Sequence, residues 1–351
     1  MTSSISDHWW PSADAGSLFS TPPFPGSRAI KASLAVDDGA LPAQAMGTDE
    51  AGKCVTAMRR MRVGGTFWAD QPVLPTGPFI LARPGNPDQF RAMAASASVQ
   101  PISVIFWFPD RRTLRISGVA TATAIVGPCD PWHFLSSASE IWADPGDELV
   151  LLAAIAGVPQ RLFGGSAEVT PPAPPESIEP IRRLSALIGN LHFRDPFSGK
   201  EITPSSLIET LGFWRDLIDA NRPIGAIHGI AFWKRPSIAP LMWNGHGTVP
   251  FDGFFRSAPD TPIASASAAW IARTPKAVLQ RLVSTGTPLF QIEDGFIRSV
   301  GLGADCVPPC LSWSIPMAPT TIQHRRAVSK SFLPLRISHR RYWTGRDVYA
   351  N

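Results

Sequence analysis

The chain has 351 residues, of which 44% are apolar and 17% are charged, so it is long and apolar enough to form two domains, or one large bilobed domain, with hydrophobic cores. Its net charge of +4 is unevenly distributed, because residues 311–351 contribute +6 and the 310 residues before them contribute −2. The near-neutral body gives no indication of nucleic-acid binding, and the absence of any run of 18 uncharged apolar residues excludes a predicted membrane-spanning helix.

The first 62 residues are rich in Ser, Pro, Ala and Gly and show no sustained hydrophobic period, so we predict a disordered leader over 1–62. This region lacks the basic start and apolar core of a secretory signal, which favours a cytoplasmic protein.

The four cysteines indicate ordinary reduced thiols. Cys306 and Cys310 are separated by three residues, two of which are prolines, and no second pair of metal ligands lies near them. Cys54 and Cys129 are far from both in sequence. We therefore expect no metal site and no cofactor.

Residues 63–168 alternate between short apolar runs and helical segments, which predicts a partial Rossmann-like α/β lobe. Asp130 followed by Pro131 predicts the start of one helix, and Asp144 or Asp147 is expected to cap a later one that Gly157 ends. The predicted strands are 79–82, 102–108, 141–143 and 160–163, and the predicted helices include 88–98 and 148–156.

Residues 169–222 are predicted to connect the two lobes through a proline-rich linker and helices. Within 205–221, Leu207, Leu211 and Trp214 recur at helical spacing, so this segment is expected to be a bridging helix with an apolar face.

A second lobe is predicted over 223–312. A strand and turn at 224–229 is followed by basic residues, so His228 and Lys234 near the strand end are placed to face an anionic sugar or nucleotide. The alternative is a solvated basic turn. A strand at 265–270 and a helix over 274–283 complete the front half of a Rossmann-like arrangement.

The second lobe leads into a motif that begins with the apolar run 289–292, a predicted buried strand. Glu293 and Asp294 follow directly, and Arg298 and Ser299 come next. Because ligand-contacting groups collect beyond the carboxyl ends of strands in open α/β sheets, this pattern predicts the rim of a substrate cleft. The alternative is a turn that an Arg–Asp pair holds together.

The segment EDGFIRSVGLGADCVPP, residues 293–309, resembles the signature of the capsule polysaccharide biosynthesis and export family, the KpsC-type retaining β-Kdo glycosyltransferases. The family pattern is an acidic pair, Gly-Phe, an aliphatic residue, Arg-Ser, a Gly-Leu-Gly turn and a Pro-Pro pair, and this chain carries each element. The resemblance extends over about 110–311. It implies incomplete Rossmann-like lobes of glycosyltransferase-B type and the transfer of Kdo from CMP-Kdo to a lipid-linked glycan acceptor.

The resemblance also implies roles for the motif residues. Asp294 and Glu293 are expected to act as a catalytic base or to orient acceptor hydroxyls, and Arg298 to pair with a carboxylate. Ser299, His228 and Lys234 are the further substrate-binding candidates. The presumed aspartate nucleophile of the family lies downstream of the matched segment.

Two departures from the family pattern weaken the expected donor site. Phe108 stands where the family has a histidine that helps hold the donor nucleotide, and phenylalanine cannot donate a hydrogen bond to a phosphate. Asp147 and Glu148 stand at a helix start where family members have small or hydroxyl residues, and their charge would repel phosphate. Helix capping is therefore the favoured role for both acids.

Residues 313–351 depart from the family pattern altogether and are basic and irregular. Our hypothesis is a shifted reading frame or a terminal truncation, and the alternative is a genuine basic tail that docks on anionic lipid or on capsule polymer.

The predicted function is that of a capsular polysaccharide biosynthesis or export protein with little or no catalysis as the chain stands. The alternative is a non-catalytic glycan-binding or assembly component of capsule export. CMP-Kdo, a lipid-linked acceptor and capsule assembly proteins are the partners that the resemblance implies. The expected location is the cytoplasm, with peripheral contact at the inner face of the inner membrane as an option.

Overall fold

A computed structural model describes residues 9–10, 15–24, 35–36, 46–118, 124–164, 169–170, 179–188, 191–195, 200–247, 249–252, 266–294, 311–312 and 316–317. These residues form an α/β protein in which helices flank a Rossmann-like parallel sheet, so the predicted fold class is confirmed.

The elements up to the end of the bridging helix are α1 (Ala15–Leu18), β1 (Ala35–Val36), α2 (Thr48–Met61), β2 (Phe79–Arg83), α3 (Pro87–Ala97), β3 (Ser103–Phe108), α4 (Arg111–Ser117), β4 (Ala124–Val126), α5 (Pro131–Leu135), β5 (Ala138–Ala143), α6 (Glu148–Ala156), β6 (Gln160–Phe163), β7 (Val169–Thr170), α7 (Glu179–Ile188), β8 (His192–Arg194), β9 (Glu201–Ile202) and α8 (Pro204–Asn221). The later elements are β10 (Ile224–His228), α9 (Arg235–Leu241), β11 (Ala266–Ala269), α10 (Lys276–Ser284), β12 (Leu289–Gln291), β13 (Glu293–Asp294), β14 (Leu311–Ser312) and β15 (Pro316–Met317).

The main sheet of the first lobe has the strand order β4-β3-β2-β5-β6-β7. The first five strands are parallel, and β7 is antiparallel to β6. The order reverses between β2 and β5, because β3 lies on one side of β2 and the later strand β5 lies on the other. Such a switch point opens a crevice at the carboxyl ends of the two strands, which is where ligands bind in open α/β sheets. Although the sequence predicts a partial lobe, this sheet has its own switch point.

The strands of this sheet form where the sequence has short apolar runs. Every residue of β2 is buried, and so are the last four residues of β3, as expected for parallel strands that helices cover on both faces. The helix α6 is capped at its start by Asp147, whose side chain accepts a hydrogen bond from the Leu149 amide at 2.8 Å. Gly157 ends the helix in the left-handed conformation. Both predictions for this helix are confirmed, with Asp147 as the cap.

The predicted disordered leader contains two helices among its described residues, the four-residue α1 and the longer α2. In α2, Ala51, Cys54, Val55 and Met58 are buried and face α7 and α8. The prediction of disorder is wrong for these residues, because spacings of three and four place the four apolar side chains on one face. This face is small and charged residues lie between its members, so the helical period of the apolar residues is not evident from amino-acid composition. The other leader residues that the structure describes are 9–10, 15–24, 35–36, 46–47 and 62.

The helix α8 is present where the bridging helix is predicted, but it packs on the first lobe. Leu207, Ile208 and Leu211 are fully buried in the core that also contains α2. The end of α8 holds the second lobe, because the Asn221 amide donates hydrogen bonds to the carbonyls of Leu241 and Trp243 at 2.7 and 3.2 Å.

The second lobe contains the parallel strands β10, β11 and β12 in that order, with β15 antiparallel to β12. These three strands and α10 confirm the predicted elements of this lobe. Its core is built largely from isoleucines, including Ile224, Ile227 and Ile238. Among the helices of the described ranges, none has the length and hydropathy that crossing a membrane requires.

Candidate functional site

The switch-point crevice of the first lobe contains a buried charge cluster. Arg83 ends β2 at the carboxyl edge of the sheet, and its side chain is only 3% exposed. Its Nε lies 3.2 Å from Oδ2 of Asp147, and its Nη1 lies 3.7 Å from Oε1 of Glu148. Burial raises the pKa of Asp147 above its usual value, although the Arg83 charge and the Leu149 amide act in the opposite direction.

Trp10 of the N-terminal segment and Trp107 of β3 contact Arg83 in this crevice. The Arg83 guanidinium carbon lies 3.8 Å from the ring centroid of Trp10 and 4.6 Å from that of Trp107. The Trp9 amide donates a 2.6 Å hydrogen bond to the Gly85 carbonyl in the loop after β2. Arg83 therefore contacts two adjacent indole rings, whose centroids are 5.2 Å apart, and cation–π attraction stabilises this arrangement. Within the described part of the chain, Arg83 Nε and Nη1 make no hydrogen bond.

Side chains of the loop after β2 and of α3 itself accept hydrogen bonds from the backbone amides around the start of α3. The Asn86 side chain accepts from the Gln89 amide at 2.9 Å. The Gln89 side chain accepts from the Gly85 amide at 2.8 Å and donates to the Asp144 carboxylate. The amides that hold phosphate at such helix starts in nucleotide-binding proteins are thus engaged here, and the Asp144 carboxylate lies next to Gln89. The crevice in this conformation does not suit a nucleotide phosphate.

A second candidate site is the cleft between the lobes, which has a volume of about 610 Å³. On the first-lobe side, the cleft is lined by the edge strand β4, by Cys129 and by the segment before β2. On the opposite side, it is lined by residues that come shortly after α8 and α9 in the chain. The lining residues are Asp70, Gln71, Pro72, Ala124, Ile125, Val126, Cys129, Arg222, Asn244 and His246.

Polar contacts across the cleft fix its geometry. The His246 Nδ1 lies 2.6 Å from Oδ1 of Asp70, so a histidine of one lobe pairs with a carboxylate of the other. Arg222 donates from Nη2 to the carbonyls of Trp68 and Ala69 at 3.2 and 3.1 Å. His246 is 78% exposed and Asp70 is 50% exposed, so the pair is open to a ligand in the cleft.

The turn that presents His246 is held by Asn244. The Asn244 side-chain oxygen accepts from the amides of His246 and Gly247 at 3.1 and 3.0 Å. Gly245 has a φ of 90°, and a Cβ at this position would collide with the Trp68 carbonyl oxygen. The turn therefore requires glycine in order to approach the first lobe this closely.

The cysteine in this cleft is not a nucleophile. Burial raises the pKa of the Cys129 thiol to about 12, and the neighbouring carboxylates of Asp70 and Asp130 contribute in the same direction. A thiol with such a pKa stays protonated at neutral pH, so Cys129 contributes packing and no reactivity.

The predicted site residues of the second lobe lie at the carboxyl edge of its sheet. His228 ends β10 and is 4% exposed, and its Nδ1 lies 2.9 Å from Oδ2 of Asp252. Burial lowers the pKa of His228, and Arg281 lowers it further, while Asp252 raises it. The Lys234 Nζ lies 4.1 Å from the ring centroid of Trp270, so its ammonium group contacts an aromatic face.

The predicted acidic pair follows the same edge. Glu293 and Asp294 form β13, which comes directly after β12 and pairs with Leu311–Ser312 in an antiparallel arrangement. Arg298 and Ser299 lie outside the described residues. The topology therefore places His228 and the backbone of Glu293 and Asp294 at the carboxyl ends of β10 and β12, with β11 between these strands.

Sequence analysis misses Asp70, His246, Trp10 and the role of Arg83. Asp70 and His246 are 176 residues apart, so no local pattern connects them. A signal for Arg83 does exist, because a charged residue that ends an apolar strand before Pro-Gly lies at the ligand-binding edge of such sheets.

No protein-family model matches the chain, and no curated protein is significantly similar to it. The resemblance to β-Kdo transferases therefore rests on the sequence motif and on its context. No group of three or more His, Cys, Asp or Glu side chains in the described ranges is arranged to hold a metal ion.

Proposed function

We propose that this chain is a capsular polysaccharide biosynthesis or export protein, related to retaining β-Kdo transferases, that binds glycan between its two lobes and transfers no sugar as it stands. The observation that carries the proposal is the lining of the inter-lobe cleft. The family assignment comes from the motif at 293–309, and the glycan-binding role comes from the geometry of the cleft.

The chemistry of the cleft suits sugar hydroxyls. The Asp70 carboxylate and the Gln71 amide oxygen can accept hydrogen bonds, while Arg222 and the Asn244 amide nitrogen can donate them, which matches the mixed donor and acceptor character of a glycan. Apolar side chains of β4 provide a surface for the carbon face of a sugar ring. The volume of about 610 Å³ lies within the range of small-ligand sites, roughly 300–1,000 Å³.

The absence of transfer is supported by the switch-point crevice of the first lobe. Trp10 occupies the space beside Arg83, and Asp144, Asp147 and Glu148 surround the helix starts at which a donor phosphate would bind. Acids at a helix start disfavour an added anion there, and Arg83, the cation beside them, is already paired with Asp147 and Glu148. Binding of CMP-Kdo in this crevice would require displacement of the N-terminal tryptophans.

The proposal is tested by calorimetric titration of the full chain with CMP-Kdo and, separately, with a Kdo-terminated capsular oligosaccharide. We expect saturable heat with the oligosaccharide, none with CMP-Kdo, and no elongated product by mass spectrometry when both are present. Sugar transfer, even if slow, would contradict the non-catalytic part of the proposal.

A pair of histidine variants locates the binding site. His246→Ala removes one polar partner from the cleft and is expected to weaken oligosaccharide binding about fivefold, the equivalent of roughly 1 kcal/mol for one hydrogen bond. The matched control is His192→Ala, since His192 also pairs with a carboxylate, that of Glu201 at 2.9 Å, but does not line the cleft. Equal affinities of both variants and the unchanged protein would argue against the cleft as the glycan site.

A further inference from the structure

The second lobe exposes two adjacent large aromatic side chains. Phe232 and Trp233 lie on a one-turn 3₁₀ helix, Phe232–Lys234, shortly after β10, and they are 75% and 58% exposed. Their rings are 5.1 Å apart and nearly perpendicular, with an interplanar angle of 88°. Isolated exposed apolar residues are common, but adjacent exposed aromatics beside charged groups are typical of an interaction surface.

The surroundings of these aromatics are basic. Residues 223–251 and 266–292 contain five Lys and Arg residues and no Asp or Glu, and the nearby Asp252 is only 16% exposed and pairs with His228. Lys234 Nζ and Arg273 Cζ lie 4.1 and 5.9 Å from the ring centroid of Trp270, so two cations lie around this aromatic ring. We define the aromatic–basic surface as Phe232, Trp233, Lys234, Trp270 and Arg273.

We propose that the aromatic–basic surface docks the protein on a membrane surface that contains anionic phospholipid. Tryptophan and phenylalanine are favoured at the level of the lipid headgroups, where an apolar ring is buried next to polar groups. Lysine and arginine near the surface are attracted by anionic headgroups. Charge complementarity thus selects an anionic surface, and the exposed rings supply the apolar contact.

This surface is separate from the proposed glycan site. None of its five residues lines the inter-lobe cleft. Membrane docking and glycan binding therefore respond to different variants, and the failure of one does not imply the failure of the other.

The experiment is co-sedimentation of the full chain with large vesicles, either of pure phosphatidylcholine or of equal parts phosphatidylcholine and phosphatidylglycerol. We expect binding to the mixed vesicles that decreases with added salt, because screening weakens the attraction of exposed charges. Binding to pure phosphatidylcholine is expected to be at least tenfold weaker.

Three variants identify the surface. Phe232→Ser combined with Trp233→Ser removes the apolar contact, and Lys234→Gln combined with Arg273→Gln removes two charges. Each pair is expected to weaken binding to the mixed vesicles about tenfold or more. The matched control is Phe213→Ser, because Phe213 is a 61% exposed aromatic on α8 in the first lobe, and it should leave binding unchanged.

All variants keep the basic residues of 311–351, which therefore contribute the same background to each measurement. Circular dichroism melting checks that the exposed substitutions leave the fold intact. The proposal is overturned if the unchanged protein does not sediment with the mixed vesicles. It is equally overturned if the aromatic pair can be replaced without loss, or if Phe213→Ser lowers binding to the same extent.

Discussion

The first lobe buries two arginines against aspartates, and the two pairs differ in how completely they are hydrogen bonded. Arg215 on α8 binds Asp130 with both terminal nitrogens, at 2.7 and 3.2 Å. It also donates to the carbonyls of Arg62 and Phe67 at 2.8 and 3.3 Å. Its side chain is 1% exposed, and Asp130 is fully buried. This pair connects α8 to the body of the lobe.

The Arg83–Asp147 pair is as deeply buried but poorly hydrogen bonded. The closest approach is 3.2 Å, and neither Arg83 Nε nor Asp147 Oδ2 has a hydrogen-bond partner in the described ranges. The charge of Arg83 is compensated mainly by two tryptophan rings and two carboxylates. A buried charge pair without full hydrogen bonding is costly to keep. This pair lies at the switch point of the sheet, where ligands bind in open α/β folds, whereas the Arg215 pair connects α8 to the body of the lobe.

The largest expected effect comes from breaking the well-bonded pair. Arg215→Met should lower the free energy of unfolding by about 3–5 kcal/mol, because it leaves Asp130 buried without its counter-charge and two carbonyls without their donor. Urea denaturation followed by circular dichroism measures the change. The control is Arg91→Met, since Arg91 pairs with Asp88 on the surface and should cost less than about 0.5 kcal/mol. A loss below about 1 kcal/mol for Arg215→Met would contradict the structural role.

A smaller effect is expected at the crevice. Arg83→Met should cost about 1–2 kcal/mol, because the arginine loses no well-formed hydrogen bond and methionine retains part of the contact with Trp10 and Trp107. Asp147 then takes up a proton more readily, which limits the cost of its burial. The same urea experiment, run beside Arg215→Met, tests the ranking. If Arg83→Met proves to be the more destabilising variant, the contrast between the two pairs is wrong.

The smallest effect is a dependence on pH. Because burial raises the pKa of Asp147, the folded state holds its proton more tightly than the unfolded state does. The contribution of this carboxyl to stability is therefore greatest at acidic pH and decreases as pH rises from the unfolded value of 3.8 through the raised folded pKa. Asp147→Asn keeps a capping oxygen and removes this titration. Relative to the unchanged protein, its stability should improve with rising pH, as thermal melts at several pH values can measure. A constant difference would argue against a raised pKa.

Much of the fold could be predicted because its signals are local. The apolar runs that form β2, β3 and β6, the Asp-Pro start of α5 and the Asp147 and Gly157 boundaries of α6 each lie within a few residues. The helix α2 escaped prediction because its buried face consists of small or flexible residues between charged ones. Only the packing against α7 and α8 identifies that face as part of the core.

The sequence by itself determined the alternation of strands and helices and the helix boundaries, and it contains the motif that resembles that of capsule glycosyltransferases. The tertiary structure decided which residues meet. It brought Trp10 onto Arg83, paired Asp70 with His246 across the cleft, and placed Arg215 against Asp130. Periodicity and caps are encoded in neighbours along the chain, whereas these contacts join residues 73 to 176 positions apart and arise only when strand order and helix packing are fixed.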